Sequence, residues 1–299
     1  MIKTTTQKIS KTESWLLAAR PKTLPAAVVP VLMGTSIAIH DGYFAPAAAF
    51  VALLCSLLIQ TATNFVNDLY DHLKGSDTEN RTGPERALAT GLISVKEMKL
   101  GIFFTFGLTF LLGMYLVYLG GLPILIIGIL SIAAGYMYTA GPFPLAYNGL
   151  GDIFVFIFFG FVGTIGTYYV QALQITPFII WASVPVGALI TNILVVNNYR
   201  DRKEDRQAGK NTLAVKFGAA FTRIQYVIFT LVTYLVPVFF FFFYKKSPWI
   251  FLPLISIPFA VKLIKMIYTE EGQALNTTLA QTAKLSFIYG LLFAIGILI

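Results

Sequence analysis

The sequence predicts an all-α, multi-pass membrane protein with nine transmembrane helices. Of its 299 residues, 57% are hydrophobic and 12% are charged, and the mean hydropathy of +0.74 is far above that of a soluble domain. A span needs about 20 apolar residues in helical form, because backbone polar groups in lipid must be satisfied within the segment. The nine segments lie near residues 24–40, 45–66, 98–119, 121–139, 152–171, 177–199, 222–244, 248–268 and 281–299.

The first segment is short and carries prolines. Pro21, Pro25 and Pro30 are expected to bend it, since proline lacks the N–H that a helix interior uses. The preceding stretch, MIKTTTQKISKTESW, has neither the apolar core nor the cleavage site of a signal peptide, so insertion is expected to depend on the helices. The lone cysteine, Cys55, lies in the second segment and is interpreted as a structural thiol.

The distribution of Lys and Arg predicts the orientation in the membrane, because cytoplasmic loops collect basic residues. If nine helices alternate, all 22 Lys and Arg residues except Lys245 and Lys246 fall on one side. That side, with the N-terminus and the loops after the second and sixth helices, is predicted to be cytoplasmic. Orientation in the membrane thereby accounts for the excess of basic residues and the net charge of +8. Nucleic acid is not expected as a partner.

Two acidic stretches, NFVNDLYDHLKGSDTENRTGPER after the second helix and NILVVNNYRDRKEDRQAGKNTLAVKFG after the sixth, share one order of residue types. In each, an apolar helix gains Asn in its last turns, then Asp at helical spacing, then a basic loop containing Gly. Three side chains in each stretch are spaced to share one helix face. The two sets are Asn64, Asp68 and Asp71, and Asn197, Asp201 and Asp205. The interval of four helices predicts one domain over residues 1–299, with helices 1–4 repeated as helices 5–8 and a ninth helix added.

Stacked carboxylates repel one another and are unfavourable near the negative C-terminal end of a helix. A cation would offset both effects, and Mg²⁺ is the candidate because it takes oxygen ligands and commonly joins carboxylates to substrate phosphates. Two facing clusters could hold Mg²⁺ and clamp a diphosphate, with nearby Lys and Arg taking up the remaining charge. The alternative is that these are solvated loop charges paired with basic neighbours.

These residues resemble the UbiA superfamily of intramembrane prenyltransferases, whose two Asp-rich motifs they match. The similarity is greatest to the branch that prenylates 1,4-dihydroxy-2-naphthoate in menaquinone synthesis. It rests on residues 20–35, 67–91, 138–171, 197–218 and 282–296. Many relatives place an Asp four residues after the second Asp of the first motif, where this chain has Gly75. Asp77 is therefore a weaker metal-site candidate than Asp68 or Asp71.

The resemblance implies helices around a central cavity that opens laterally to lipid, with the Asp motifs at its cytoplasmic end, in a bacterial cytoplasmic membrane. It also implies transfer of a polyprenyl group from polyprenyl diphosphate to 1,4-dihydroxy-2-naphthoate, with loss of CO₂ and diphosphate, to give demethylmenaquinone. A sister enzyme acting on 4-hydroxybenzoate or another phenolic acid remains open, because the Asp motifs recognise only the shared diphosphate.

Catalysis of this reaction requires charge stabilisation at the leaving diphosphate and a dry cavity for the allylic cation. Mg²⁺ is assigned to Asn64, Asp68, Asp71, Asn197, Asp201 and Asp205. Diphosphate contacts are assigned to Lys22, Lys203, Arg81 and Lys210, each of which could instead be an interfacial topology cation. Contacts with the prenyl chain or the aromatic ring are assigned to Tyr138, Phe154, Phe158, Tyr168 and Tyr169, whose ring faces can stabilise positive charge.

Asp152 is the one carboxylate between residues 98 and 200 and stands at the start of the fifth helix. It could cap that helix, or it could bind the acceptor and remove its proton. Two other classes of protein fit these residues less well. A transporter or channel should carry ionisable residues near the bilayer midplane, whereas these carboxylates gather at helix ends. A purely structural membrane protein gives no reason for duplicated acidic faces.

Overall fold

The computed structural model describes residues 10–76 and 82–299, and within these ranges it contains helices, turns and irregular segments but no β-strand. Asp77 and Arg81 lie outside the described residues. The α-helices are α1 (Lys11–Ala19), α2 (Pro25–His40), α3 (Pro46–Leu73), α4 (Val95–Gly120), α5 (Leu122–Met137), α6 (Gly151–Val155), α7 (Thr164–Ala172), α8 (Pro177–Gln207), α9 (Leu213–Phe243), α10 (Ile257–Thr269) and α11 (Leu275–Leu298). A π-helical segment, Phe156–Gly163, joins α6 to α7, and a 3₁₀ segment, Pro248–Ser256, precedes α10.

The chain bends sharply where the prolines of the first segment predicted a bend. The axis turns by 53° between Lys11–Thr23 and Pro25–His40. Arg20 ends α1 in the left-handed conformation, with φ of 52°, and Pro25 opens α2 at a position where its missing N–H costs nothing. The bend places the end of α1 against α3, where Ala19 accepts a hydrogen bond from Asn64.

All nine predicted segments coincide with helices, but their ends differ. α3 continues to Leu73 and α8 to Gln207, about two turns beyond the predicted ends, so both Asp motifs lie on helices. Among the described residues, seven segments are long and apolar enough to cross a membrane, or eight if the bent pair α1–α2 counts as one. α5 has 16 residues and is about 24 Å long, short of the bilayer core. The fold class is confirmed, whereas the count of nine spans and the four-helix repeat remain predictions.

α8 forms the centre of the bundle. Of its most apolar stretch, 78% is buried, against 11% for α4, which lies at the periphery. A helix that is apolar on all sides is expected to be surrounded by protein or lipid, and here protein surrounds it. Glycines let α8 and the π-helical segment approach closely, since a Cβ on Gly160 would lie 2.8 Å from the Cα of Gly187.

The two ends of the bundle differ in charge, as the Lys and Arg distribution predicted. One end gathers the Asp motifs, the C-terminal ends of α3 and α8, and most of the basic side chains. At the other end, Lys246 Nζ lies 3.0 Å from Nε2 of His40, and the hydroxyl of Tyr168 donates to Asp41 at 2.7 Å. This polar network joins the end of α2 to α7 and to the connection after α9.

Candidate functional site

The first Asp motif occupies the last turns of α3 and faces the protein interior. Asn64, Asp68 and Asp71 are 4%, 1% and 3% exposed, as the shared face of one helix requires. Asn64 donates to the carbonyl oxygen of Ala19 at 2.9 Å, so its amide is tied to the bend before α2. The three side chains therefore lie under α1 and the residues that follow α3, away from lipid.

Asp71 accepts from three donors that come from different parts of the chain. Arg86 Nη2 lies 2.6 Å from Oδ2, and the hydroxyl of Tyr147 donates to Oδ1 at 2.9 Å. Lys210 Nζ lies 2.9 Å from the same Oδ1. Such a buried carboxylate is tolerated only when it is fully paired, so these contacts fix the carboxylate and its partners together.

The second motif occupies the last turns of α8. Arg200 binds both oxygens of the neighbouring Asp201, with Nε and Nη2 each 2.7 Å away, and also donates to Asn197 and to Asn276 at 2.8 Å. A planar guanidinium suits this bidentate pairing. Arg200 thus holds the Asn and the first Asp of the motif and connects them to the start of α11.

Lys210 joins the two motifs. Its ammonium group lies 2.9 Å from Asp71 on α3 and 3.9 Å from Asp205 on α8. A second link is formed by Thr82, whose N–H donates to Glu204 at 2.8 Å and whose carbonyl accepts from Asn276 at 3.2 Å. One carboxylate from each motif therefore lies beside the same ammonium group at one end of the bundle.

A cavity of about 360 Å³ begins beside the motifs and extends into the apolar interior. Its polar residues near the motifs are Arg20, Thr23, Asn64, Asn67, Tyr138 and Asn197. Further in, the wall is almost wholly aliphatic and aromatic. Three residues that line the cavity are also exposed on the outside of the bundle: Phe110 (47%), Met114 (43%) and Ile129 (51%). The cavity wall formed by α4 and α5 therefore reaches the outer surface of the bundle.

Three of the five predicted aromatic residues line this cavity. They are Tyr138, Phe154 and Phe158, and the two Phe rings are stacked with centroids 5.9 Å apart. Tyr168 is buried among other helices with its hydroxyl on Asp41, and Tyr169 packs near Gly120, so the structure places both outside the cavity wall. The phase of α7 explains this, because Gly166, Thr167 and Val170 occupy the face toward the cavity.

Asp152 lies in a small adjoining pocket and is 5% exposed. Its two oxygens accept from Asn198 at 3.2 Å and from Gln225 at 3.1 Å. No side chain caps the start of α6, so the capping interpretation has no hydrogen bond to support it among the described residues. Tyr138 lines both this pocket and the main cavity, so its ring borders the two spaces.

The four predicted diphosphate cations have different positions. Lys210 lies between the motifs, and Arg81 is outside the described residues. Lys22 is exposed on the short turn before α2. Lys203 is exposed because it lies about 200° around α8 from both Asp201 and Asp205. The structure therefore brings one of the three described cations to the carboxylates.

Sequence reasoning missed Tyr147, which lies in the loop between α5 and α6. Two ammonium groups lie over its ring, Lys74 Nζ at 4.0 Å and Lys210 Nζ at 4.9 Å from the ring centroid. One lysine comes from each motif loop, and both make cation–π contacts. Burial, aided by the Asp71 carboxylate, raises the pKa of Tyr147 well above its usual value, so the phenol remains a donor. The hint in the sequence was a polar aromatic residue in the Gly- and Pro-rich loop of residues 139–150.

Arg20, Arg86 and Arg200 were also missed as members of the site. Arg20 lines the cavity, whereas Arg86 and Arg200 hold Asp71 and Asp201. Arg86 and Arg200 stand next to the motifs in sequence, where a basic residue indicates only the cytoplasmic side of a membrane protein. Their guanidinium groups face inward because buried carboxylates require charged partners.

The donor set fits a hard divalent cation. The six predicted ligands offer carboxylate and amide oxygens, which Mg²⁺ prefers, and the ammonium of Lys210 already lies between two of the carboxylates. Within residues 10–76 and 82–299, no group of three or more His, Cys, Asp or Glu side chains is arranged to hold a metal ion. Any Mg²⁺ bound here would thus take part of its oxygen ligands from a bound phosphate.

The sequence profile of the UbiA prenyltransferase family matches residues 27–292, and the chain belongs to this family. It is an integral membrane prenyltransferase, as the resemblance predicted. The 1,4-dihydroxy-2-naphthoate octaprenyltransferases of Escherichia coli (strain K12) and Haemophilus influenzae are 37% and 38% identical to it. The alignments cover 98% and 97% of this chain and 97% of each relative.

Solved structures show the same fold. A UbiA homolog from Archaeoglobus fulgidus bound to DMAPP and Mg²⁺ has a TM-score of 0.66 at 16% identity and covers 94% of this chain and 99% of its own. The apo structure of a UbiA homolog from Aeropyrum pernix K1 has a TM-score of 0.69 at 14% identity, covering 92% and 96%.

Proposed function

We propose that this protein transfers a polyprenyl group from polyprenyl diphosphate to 1,4-dihydroxy-2-naphthoate, with loss of CO₂ and diphosphate, and so forms demethylmenaquinone. Relatives of that name match almost the whole chain at 37–38% identity. The observation in the structure that supports it most is the convergence of two Asp motifs on Lys210 at the polar end of an apolar cavity.

The arrangement suits ionisation of an allylic diphosphate. The departing diphosphate needs positive charge and donors, which Lys210 and Arg20 supply near the motifs. Mg²⁺, held by Asn64, Asp68, Asp71, Asn197, Asp201 and Asp205, would supply further charge neutralisation at the phosphates. Lys22, Lys203 and Arg81 remain candidates for contacts with the phosphates from the outer side.

The allylic cation formed by ionisation must be kept from water until the ring attacks. Phe154 and Phe158 line the cavity with their faces stacked, and Tyr138 lies where the cavity meets the pocket of Asp152. Aromatic faces stabilise such a cation, and an apolar wall excludes water. Tyr168 and Tyr169 lie outside the cavity wall, toward the end of the bundle opposite the Asp motifs, and have no part in this step.

The acceptor ring becomes more nucleophilic when its phenol loses or shares a proton. Asp152, oriented by Asn198 and Gln225, is our candidate for this step through Tyr138 or after a small movement of that ring. Attack at the carbon that bears the carboxylate makes a β-keto acid, which then loses CO₂ without another cofactor.

We place the protein in a bacterial cytoplasmic membrane, with the N-terminus and the Asp motifs on the cytoplasmic side. The collection of Lys and Arg at the end of the bundle that carries the motifs supports this orientation. The substrates would then reach the site from the cytoplasm and from the surrounding lipid. Nucleic acid has no part in this function.

The direct test is an assay of the purified protein in detergent with Mg²⁺ and an allylic polyprenyl diphosphate. Either 1,4-dihydroxy-2-naphthoate or 4-hydroxybenzoate is supplied as acceptor, and product masses are read. A naphthoate product lighter by CO₂ is expected. A 4-hydroxybenzoate product that keeps its carboxylate, with no naphthoate product, would contradict the acceptor and assign the enzyme to the sister branch.

A further inference from the structure

One face of α3 lines the cavity with polar side chains, although most of the wall is apolar. From the motif inward they are Asn67, Asn64, Gln60 and Ser56, spaced by three or four residues and therefore on one side of the helix. Asn67 accepts from a threonine hydroxyl, and Asn64 and Ser56 donate to main-chain carbonyl oxygens at 2.9 and 2.8 Å. Gln60 differs, because its amide forms no hydrogen bond with any residue that the structure describes.

α5 brings a second polar side chain to the same depth. Two contacts, one turn apart, set the parallel register of α5 against α3, and they join Asn67 to Thr139 and Thr63 to Gly135. One further turn inward, the same offset brings Ser131 of α5 to the level of Gln60. Ser131 also lines the cavity, and its hydroxyl likewise has no hydrogen-bond partner in the described part of the chain. We call Gln60 and Ser131 the polar patch.

Other hydroxyl groups on the cavity wall have evident roles. Thr109 and Thr167 donate to carbonyl oxygens one turn earlier in their own helices, at 2.8 and 2.7 Å. Tyr138 borders the smaller pocket. An amide or hydroxyl without a partner in apolar surroundings costs free energy, and a ligand with a matching polar group would recover it. The polar patch therefore suits a ligand that carries such a group.

The depth and the charge of the patch suit the aromatic acceptor. Gln60 lies about 6 Å further in than Asn64 and about 12 Å further in than Asp68 along α3. With a diphosphate at the motifs, the allylic carbon lies between the motifs and the patch, so a ring that attacks this carbon extends to the level of Gln60. Among the described residues that line the cavity, Arg20 is the one charged side chain, and it lies near the motifs. The uncharged patch therefore suits a neutral hydroxyl group rather than a carboxylate or a phosphate.

We propose that Gln60 and Ser131 bind the 4-hydroxyl group of 1,4-dihydroxy-2-naphthoate and thereby select this acceptor over phenolic acids that lack that group. This inference rests on the proposed function and extends it to acceptor specificity. The amide oxygen of Gln60 accepts the hydroxyl proton, and the hydroxyl of Ser131 donates to the hydroxyl oxygen. The 1-hydroxyl group, next to the carbon that is attacked, is left for Asp152. A site that pairs a substrate hydroxyl rejects an analogue without it, because the polar groups of the site then stay unpaired.

The test compares Gln60→Leu and Ser131→Ala with Thr109→Val. Thr109 also lines the cavity, but its hydroxyl is bonded to its own helix, so this variant controls for the loss of a polar group from the wall. For each purified variant, KM is measured for 1,4-dihydroxy-2-naphthoate and for the prenyl diphosphate. The Ki of 1-hydroxy-2-naphthoate, which lacks the 4-hydroxyl group, is measured as a competitor of the acceptor.

Gln60→Leu is expected to raise the KM for 1,4-dihydroxy-2-naphthoate by about tenfold or more, and to leave the donor KM and the Ki of the analogue within about twofold of wild type. Ser131→Ala, which removes a single oxygen atom, should give a smaller shift in the same direction and carries the test if the leucine variant does not fold. Thr109→Val should leave all three constants near wild type.

Three results would overturn the inference. They are an unchanged KM for the acceptor, a Ki that rises as much as this KM, which would show only a change in cavity shape, and a higher donor KM, which would place the patch on the prenyl diphosphate. Wild-type protein that does not prenylate 1,4-dihydroxy-2-naphthoate would contradict the proposed function. An active wild type whose variants keep its constants would contradict only the assignment of the polar patch.

Discussion

The ammonium group of Lys210 lies 2.9 Å from Oδ1 of Asp71, although the two residues belong to different acidic stretches of the chain. The contact brings the end of α3 and the loop after α8 together at one site. It also shows how the fold stabilises carboxylates that would otherwise repel each other in a buried place.

The first prediction concerns the carboxylates themselves. Asp68→Ala and Asp201→Ala should each lower kcat by at least about 100-fold, because each removes oxygen ligands and charge at the diphosphate end of the cavity. Turnover in detergent is the measurement, and size-exclusion elution shows that the variants are folded. Glu271→Gln, at an exposed glutamate, is the control and should stay near wild type. Normal activity in either Asp variant would contradict the hypothesis that the two motifs hold Mg²⁺ against the diphosphate.

The second prediction compares two lysines on opposite sides of the second motif. Lys210→Met should lower kcat/KM for the prenyl diphosphate by about 10-fold or more, because its ammonium contacts both motifs. Lys203→Met should cost less, since that side chain is exposed on the other side of α8. The donor dependence of the rate checks this. An equal or larger loss at Lys203 would indicate that it turns toward the phosphates when the donor binds.

The third prediction separates the hydroxyl of Tyr147 from its ring. Tyr147→Phe keeps the ring under Lys74 and Lys210 but removes the donor to Asp71, whereas Tyr147→Leu removes both. We expect the Mg²⁺ concentration for half-maximal activity to rise several-fold in the Phe variant and further in the Leu variant. A role confined to folding would lower the Tm of both variants and leave that Mg²⁺ concentration unchanged.

The fourth prediction assigns Asp152 to the aromatic acceptor. Asp152→Asn keeps the size of the side chain and one acceptor oxygen but removes the charge, so kcat should fall and the KM for 1,4-dihydroxy-2-naphthoate should rise while the KM for the prenyl diphosphate stays near wild type. Initial rates over both substrate concentrations distinguish these effects. Unaltered acceptor kinetics would return Asp152 to a structural role at the start of α6.

The fifth prediction is about packing at the centre of the bundle. Gly160→Ala should destabilise the fold by about 1–3 kcal/mol, because its Cβ would lie 2.8 Å from the Cα of Gly187 on α8. Gly107→Ala, which meets no neighbour, should be neutral or slightly stabilising through helix propensity. Thermal unfolding in detergent compares them. A Gly160→Ala variant as stable as wild type would show that the two helices can separate without cost.

Much of the fold could be predicted from residue types alone. Runs of apolar residues must be helical in lipid, so all nine predicted segments coincide with helices, and prolines at positions 21 and 25 bracket the observed bend. The ends of α3 and α8 were predicted too early, because the Asp motifs lower the hydropathy while the helix continues. Hydropathy reports the lipid boundary, whereas helix length also depends on hydrogen bonds beyond it.

The candidate site was predicted only in part. Helical spacing was enough to place Asn64, Asp68 and Asp71 on one buried face. It was not enough for Tyr147, whose partners come from two loops distant in sequence, or for Tyr168, whose neighbours depend on the rotation of α7 within the bundle. Loop closure and helix phase relative to other helices are not local properties.

The sequence by itself determined that this chain is a membrane-embedded helical protein with two acidic helix ends, because both features follow from hydropathy and from spacing within a single helix. Only the tertiary structure decided that Lys210 rather than Lys203 lies between the carboxylates, and that Tyr147 donates to Asp71. Such choices depend on which side of each helix meets the others, and packing of the whole bundle fixes that side.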